Sequence, residues 1–212
     1  MLAAARLYGI VDLGYTPAAH VEQMTRDLVA GGIDILQLRA KGHATAEIIR
    51  LSRELHAITQ DAGVPLVIND HPQAAAEIGS EGVHVGQDDD AVAAARAIVG
   101  SQCFVGKSTH SLAQAIAAQA EGADYIGFGP LYATGTKPDY TPIGLAEISE
   151  VHRCVSLPIF CIGGVNPERL PEILAAGARR VVVVSHFLLA NNVAKAVREL
   201  KAVLMASGAS PE

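Results

Sequence analysis

Tryptophan is absent from the 212 residues, so the interior must be filled from the aliphatic residues that make half the chain apolar. Alanine, valine and isoleucine are ample, and a chain of this length and composition can bury a sizeable core. A cationic excess is also missing: 16 Lys and Arg stand against 22 Asp and Glu, a formal charge of −6. That balance argues against nucleic acid or an anionic membrane as partner, and any anionic substrate must be met by a few local cations. Cysteine is sparse. Cys103, Cys154 and Cys161 lie far apart with no metal-type spacing, which suits a reducing cytoplasm and three packed, unreactive thiols. No apolar run approaches a membrane span, and Met1 to Arg6 is too short for a signal peptide. The expectation is a cytoplasmic protein free of the membrane.

What is present is a regular alternation of short apolar runs with amphipathic stretches. Strands are expected at 7–13, 33–39, 65–69, 82–86, 103–107, 124–129, 158–162 and 180–185. Between them apolar residues recur at helical spacing: Val21, Met24 and Leu28; Ile48, Leu51, Leu55 and Ile58; Ile116 and Ala120; Leu170, Ile173 and Leu174. Gly31 and Gly32, Gly63, Gly122 and Gly177 stand where those helices should stop. Eight such units in about 200 residues specify an α/β fold, a single-domain (β/α)8 TIM barrel, with a six-stranded open sheet as the lesser alternative. One domain is expected over 1–212, with its core at 7–204 and a frayed tail at 205–212.

The stretch 65–90, PLVINDHPQAAAEIGSEGVHVGQDDD, organises the rest. Two strands end in polar residues, Asn69 and Asp70 on the first, Gln87 to Asp90 on the second. As parallel neighbours they bring Asp70 beside one of Asp88, Asp89 or Asp90. Two carboxylates that close repel unless a hard cation such as Mg²⁺ lies between them, and the competing reading makes them helix caps.

A barrel collects its chemistry at the C-terminal ends of its strands. Those ends carry Gln37, Arg39 and Lys41; Asn69 and Asp70; Lys107, Ser108 and His110; Gly163 and Gly164; Ser185 and His186. Arg39, Lys41, Lys107 and Lys137 gather there with the carboxylates, which favours metal ligation over capping. Alternation turns Gln37, Arg39 and Lys41 to one face, expected to be the barrel axis. The loop 131–143 is long for its position; Thr134, Gly135, Thr136 and Lys137 offer hydroxyls, backbone N–H groups and a charge to an oxyanion, and the loop is expected to act as a lid. The glycine pair and Ser185 occupy the usual phosphate corner of a barrel. His84 reads equally as a packed barrel histidine or a site residue, while His56 and His152 read as helix-surface residues.

With those motifs assembled, the chain resembles the thiamine-phosphate synthases from Leu7 to about Leu204. The resemblance rests on Gln37-Leu38-Arg39-Ala40-Lys41, Ile68-Asn69-Asp70, His84 through Asp89, Ser108 through Ser111, Gly129-Pro130 through Lys137, and Ile162-Gly163-Gly164. It implies a Mg²⁺-dependent transferase that moves a hydroxymethylpyrimidine group from its diphosphate to the nitrogen of a thiazole phosphate, plain or 2-carboxylated, by dissociative loss of diphosphate. It also implies Asp70 and Asp89 as metal ligands. Gln37, Arg39, Lys41, Asn69, Ser108 and Lys137 would contact the pyrimidine diphosphate, with Arg39, Lys41 and Lys137 as the catalytic cations. Thr134, Thr136, Gly164, Val184 and Ser185 would contact the thiazole phosphate. The partners expected are these small molecules, with a homo-oligomer left open. His186 departs from the small residue expected after Ser185. Thiazole tautomerases of the same fold share the 108–111 pattern and the glycine pair, and a non-catalytic precursor-binding regulator is a third reading. Retention of Asn69-Asp70, Gln87-Asp88-Asp89 and Thr136-Lys137 favours the synthase.

Overall fold

The structure, a computed structural model, describes residues 2–87, 91–135 and 141–207. Its strands are β1 (Leu7–Asp12), β2 (Ile35–Arg39), β3 (Leu66–Asn69), β4 (Gly82–Val85), β5 (Phe104–Thr109), β6 (Tyr125–Phe128), β7 (Ile159–Cys161) and β8 (Val181–Val183). They pair in parallel in chain order, and β8 returns to β1 through the Tyr8↔Val182 register, so the sheet closes and no edge is left open. This is the expected barrel and excludes the open sheet. The last expected strand ends early, and Ser185 opens a short helix instead.

The helices outside are α1 (Val21–Gly31), α2 (Thr45–Asp61), α3 (Pro72–Ile78), α4 (Ala91–Val99), α5 (Leu112–Ala120), α6 (Ile148–Cys154), α7 (Leu170–Ala175), α8 (Ser185–Leu188) and α9 (Val193–Ala206). Each lays a stripe against the barrel: Val21 and Leu28 from α1, Ile48, Leu51, Leu55 and Ile58 from α2, Leu170 and Ile173 from α7 are buried. In α5 the expected stripe is displaced. Ala115 and Ala118 face the strands, and Ile116, a third of a turn away, is exposed. Residues 205 and 206 complete α9, so the expected tail begins inside a helix, and 208–212 lie outside the described residues.

At the N-terminal end of the barrel, carboxylates just ahead of β2, β4 and β6 tie down β1, β3 and β5. Asp34 accepts from the N–H groups of Arg6 and Leu7, both at 2.9 Å; Glu81 accepts from Leu66 N–H at 2.8 Å; Asp124 accepts from Val105 N–H at 2.6 Å. Each satisfies a donor at or beside a strand's first residue that the parallel ladder leaves over. Several of the acidic residues are therefore structural and remote from the chemistry.

Side chains of Tyr8, Tyr125 and Phe160 cross the barrel interior, the two tyrosines meeting Phe160 edge-on at 5.4 and 5.7 Å. Gly106 makes room, because a Cβ there would sit 2.0 Å from the Tyr125 ring. Above this aromatic floor the barrel opens toward the C-terminal strand ends.

Candidate active site

A cavity of about 450 Å³ occupies that open end. Period-two alternation determines which strand residues reach it: Tyr8 and Ile10 of β1, Gln37 and Arg39 of β2, Asn69 of β3, His84 of β4, Ser108 of β5, Tyr125 and Gly127 of β6, Phe160 of β7 and Val182 of β8. Lys41, Asp70, Gln87, Thr134, Gly164, Val184 and Ser185 complete the rim. The described residues nominated from the sequence for the two substrates and the metal thus line one space. Asp89, Thr136 and Lys137 lie outside the described residues, as do Asp88 and Asp90.

Arg39 is held from behind. Its NH1 donates to Asp12 Oδ2 at 2.7 Å, and Asp12 Oδ1 accepts from Gly14 N–H at 2.9 Å. Asp12 is nearly buried and paired, so it serves as a fixed anion that aims the guanidinium. It was missed in the sequence, although its place as the last residue of β1, on the face of Tyr8 and Ile10, marks it as inward. Lys107 is the opposite case. Counted with the rim cations, it points away from the axis, because its neighbours Gly106 and Ser108 take the inward positions. Its ammonium is buried against Glu121, just after α5.

At the end of β3, Asp70 adopts φ +59°, the left-handed region that few non-glycine residues enter. Its N–H donates to the carbonyl of His84 at 2.8 Å, and the Asn69 side-chain amide donates to the same oxygen at 3.3 Å. The neighbouring strand therefore holds the residue in that conformation, as strained backbone at functional sites requires. Asp70 is the one carboxylate among the described residues that line the cavity, and Gln87 stands two residues beyond the end of the adjacent strand β4 with its buried Nε2 unbonded. A hard cation fits this oxygen-bearing corner, since Mg²⁺ binds through one or two carboxylates plus substrate phosphates. Among the described residues no group of three metal-ligating side chains forms a site without substrate.

Opposite, the loop after β7 carries two consecutive glycines in the left-handed region, Gly163 at φ +104° and Gly164 at +69°. A Cβ on Gly164 would meet Arg169 NH1 at 2.6 Å and Tyr132 at 2.8 Å. Arg169 donates to Gly164 O at 3.1 Å and lies 4.4 Å over the Tyr132 ring, which fixes the loop against the segment after β6. Val184 and Ser185 open α8 beside it. His186 lines a lateral recess that shares Thr134, Gly164, Val165 and Ser185 with the main cavity, and burial lowers its pKa against the opposing influence of Glu168 and Glu199.

His84 joins the site: its Nδ1 is 3.0 Å from Tyr125 Oη and its Nε2 2.9 Å from Ser108 Oγ. His56 and His152, expected on helix surfaces, are half-buried on α2 and α6. His56 bonds Glu81 at 3.1 Å, and His152 packs with its Nε2 buried and unbonded, its pKa pushed down to about 4 by burial and by Arg179 and Arg180. Of the cysteines, Cys103 and Cys161 are buried as expected, whereas Cys154 at the end of α6 is exposed. No helix among the described residues is long and apolar enough to cross a membrane.

Comparison with known proteins places this geometry among relatives. The TMP-TENI family, thiamine monophosphate synthase, matches residues 7–187. A thiamine-phosphate synthase of Chloroflexus aurantiacus is 40% identical over 200 residues, covering 94% of this chain and 92% of that protein. One from Shouchella clausii is 36% identical over 200 residues, covering 94% and 96%. The solved structure of a thiamine phosphate pyrophosphorylase from Pyrococcus furiosus superposes with a TM-score of 0.89 at 27% identity, covering 98% of each chain. A 3-hexulose-6-phosphate synthase shares the fold, with a TM-score of 0.70 at 19% identity over 93% of this chain and 98% of that one.

Proposed function

The chain belongs to the thiamine monophosphate synthase family, whose members are transferases, and from that premise we propose how its cavity joins two phosphorylated precursors. The hydroxymethylpyrimidine group leaves its diphosphate and is captured by the ring nitrogen of a thiazole phosphate. The methylene C–O bond breaks with its electron pair going to diphosphate, and a C–N bond forms. The nitrogen carries no proton, so no general base is needed. The reaction asks for stabilisation of the leaving anion and alignment of the two rings.

The residues divide accordingly. Arg39, aimed by Asp12, and Lys41 face the diphosphate, with Lys137 assigned to the same group by resemblance. Gln37, Asn69 and Ser108 hold the pyrimidine end, above an aromatic floor that excludes water from an electron-poor carbon. Thr134, Gly164, Val184 and Ser185, with Thr136 by resemblance, hold the thiazole phosphate through backbone and hydroxyl groups. Asp70, with Asp89 by resemblance, would hold Mg²⁺, which when bound neutralises charge developing on the leaving diphosphate. The family's biosynthetic role fits a cytoplasmic enzyme acting on small molecules.

The observation that carries this reading is the convergence of Arg39, Lys41, Asn69, Asp70, Ser108 and Gly164 on one cavity from four different strand ends. The test is formation of thiamine phosphate from the two purified precursors with Mg²⁺. A thiazole tautomerase would instead isomerise the thiazole alone without the pyrimidine, and a non-catalytic regulator would bind precursors unchanged. Calorimetric titration with pyrophosphate, with and without Mg²⁺, separates these, because only the synthase needs the metal for diphosphate affinity.

A further inference from the structure

Five side chains form a continuous hydrogen-bond chain across the barrel interior. Gln37 Nε2 lies 2.7 Å from Tyr8 Oη; Tyr8 Oη is 3.0 Å from Tyr125 Oη; Tyr125 Oη is 3.0 Å from His84 Nδ1; and His84 Nε2 is 2.9 Å from Ser108 Oγ. The middle of the chain is out of water, Tyr8 being 2% and Tyr125 0% exposed. Both ends, Gln37 and Ser108, line the cavity on different strands. Gly106 clears the path under the Tyr125 ring, where a Cβ would clash.

Each hydroxyl has one proton, a neutral imidazole has one, and an oxygen pair at 3.0 Å needs a proton between its members. Burial raises the pKa of both phenols, so neither loses its proton near neutrality. Only two arrangements then satisfy every link with a neutral imidazole and leave neither buried phenol proton outside the chain. In the first, Gln37 donates to Tyr8, Tyr8 to Tyr125, Tyr125 to His84 Nδ1, and His84 Nε2–H to Ser108, whose own proton turns to the cavity. In the second every link is reversed, the Gln37 amide is turned over, and Ser108 spends its proton on His84.

We propose that Tyr8 and Tyr125 are positioning residues that impose the first direction, so that Gln37 presents its carbonyl oxygen and Ser108 its hydroxyl proton to the substrate. The inference rests on the synthase reading, in which Ser108 holds the pyrimidine end, whose ring nitrogens accept hydrogen bonds; the reversed chain would aim oxygen lone pairs at them. The chain thereby couples two recognition points that do not touch. A substrate must bring a hydrogen-bond donor to the Gln37 end and an acceptor to the Ser108 end, and a ring with those groups exchanged meets two repulsive contacts instead of one.

The tautomer of His84 reports the direction and can be read without substrate. With ¹⁵N-labelled histidine, nitrogen–proton correlations distinguish protonated from bare ring nitrogens, and His84→Asn assigns the signal. The parent should show the Nε2–H tautomer. Gln37→Glu replaces the terminal donor with a carboxylate that only accepts, kept ionised by Arg39 and Lys41 in the same cavity. Tyr8 must then donate to it, the links reverse in turn, and His84 should switch to Nδ1–H. In Gln37→Glu combined with Tyr125→Phe the wire is cut and the switch should not be transmitted. An Nδ1–H tautomer or an imidazolium in the parent, once assigned through His84→Asn, overturns the proposal even if neither Gln37→Glu variant folds. An unchanged tautomer in a folded Gln37→Glu protein overturns the coupling. In turnover, Tyr125→Phe should raise KM for the pyrimidine diphosphate about tenfold with a smaller change in kcat, as for loss of one oriented hydrogen bond to the substrate. An equal loss in kcat alone would oppose it. Failure of the parent to make thiamine phosphate would sink the synthase reading and leave the tautomer result standing on its own.

Discussion

Asp12 Oδ2 and Arg39 NH1 lie 2.7 Å apart across the β1–β2 pair, with the carboxylate side chain 3% and the guanidinium 13% exposed. A cation meant for a diphosphate is thus already paired, and its anion cannot be removed without consequence. Asp12→Asn keeps an oxygen for Gly14 N–H and gives up the charge that aims Arg39. We expect kcat/KM for the pyrimidine diphosphate to fall about tenfold or more, since misplacement of a leaving-group cation is costly. Asp12→Ala should also lower unfolding free energy by about 3 kcal/mol, the low end for breaking a buried pair, because Arg39 keeps some access to solvent. Steady-state kinetics and urea unfolding check both, and wild-type kinetics in Asp12→Asn would mean that Arg39 needs no such support.

Asp70 combines an unfavourable backbone with a required side chain. Asp70→Gly should raise stability by about 1 kcal/mol, the cost of a left-handed non-glycine residue, while lowering Mg²⁺-dependent turnover about a hundredfold. Asp70→Ala should lose the activity without the gain in stability. The same loss of turnover is expected of Asp89→Ala, and if Asp88→Ala proves the more damaging, the metal carboxylate is the earlier of the two. Thermal melts beside a Mg²⁺ titration of rate would show it. A stable Asp70→Gly variant with normal Mg²⁺ dependence would remove Asp70 from the metal.

These two residues also mark how far the sequence could be read. Asp70 was visible because a strand, a helix and another strand are packed into 26 residues, and parallel pairing then makes the strand ends neighbours. Asp12 was not, because β1 reads as a plain apolar run and its polar last residue is meaningful only once Arg39 is seen across the ladder. Lys107 shows the limit of counting strand ends: β5 runs on to Thr109, two residues beyond the expected end, and a one-residue difference in position exchanges the inward and outward faces. Ile116 failed for the mirror reason, since small alanines on the other face of α5 let that helix pack closely. Helical spacing alone does not say which face is covered. The tyrosine chain is legible only in three dimensions, as its members come from five strands.

His152 gives the fold an acid limb. Its pKa in the folded protein is pushed down to about 4, first by burial and then by Arg179 and Arg180, against an ordinary value of 6.5. The unfolded chain therefore binds the proton more readily. The stability from the neutral ring is complete above pH 6.5 and is lost as pH falls toward 4. The loss attributable to this residue should be about 2 kcal/mol, allowing for partial exposure. His152→Leu, which keeps an apolar side chain on α6, should flatten that part of the stability profile measured by urea unfolding between pH 4 and 7. An unchanged profile would assign the acid sensitivity elsewhere.

His186 poses the converse question, because the free protein and the ligand pull its proton in opposite directions. In the ligand-free site burial lowers its pKa, with Glu168 and Glu199 opposing. A thiazole phosphate seated beside Ser185 reverses the balance, since its charge favours the protonated ring. Binding should then take up a proton, and affinity should be higher at pH 6 than at pH 8. Titration of the phosphate itself, with a second pKa of about 6, works the other way by weakening the dianion as pH falls. The comparison that isolates the histidine is the ratio of affinities for the parent and His186→Ala across that range. A ratio that grows below pH 7 places the imidazole against the phosphate. A ratio flat with pH leaves His186 as packing between the lateral recess and α8, and the phosphate held by Ser185 and the backbone of Gly164 and Val184.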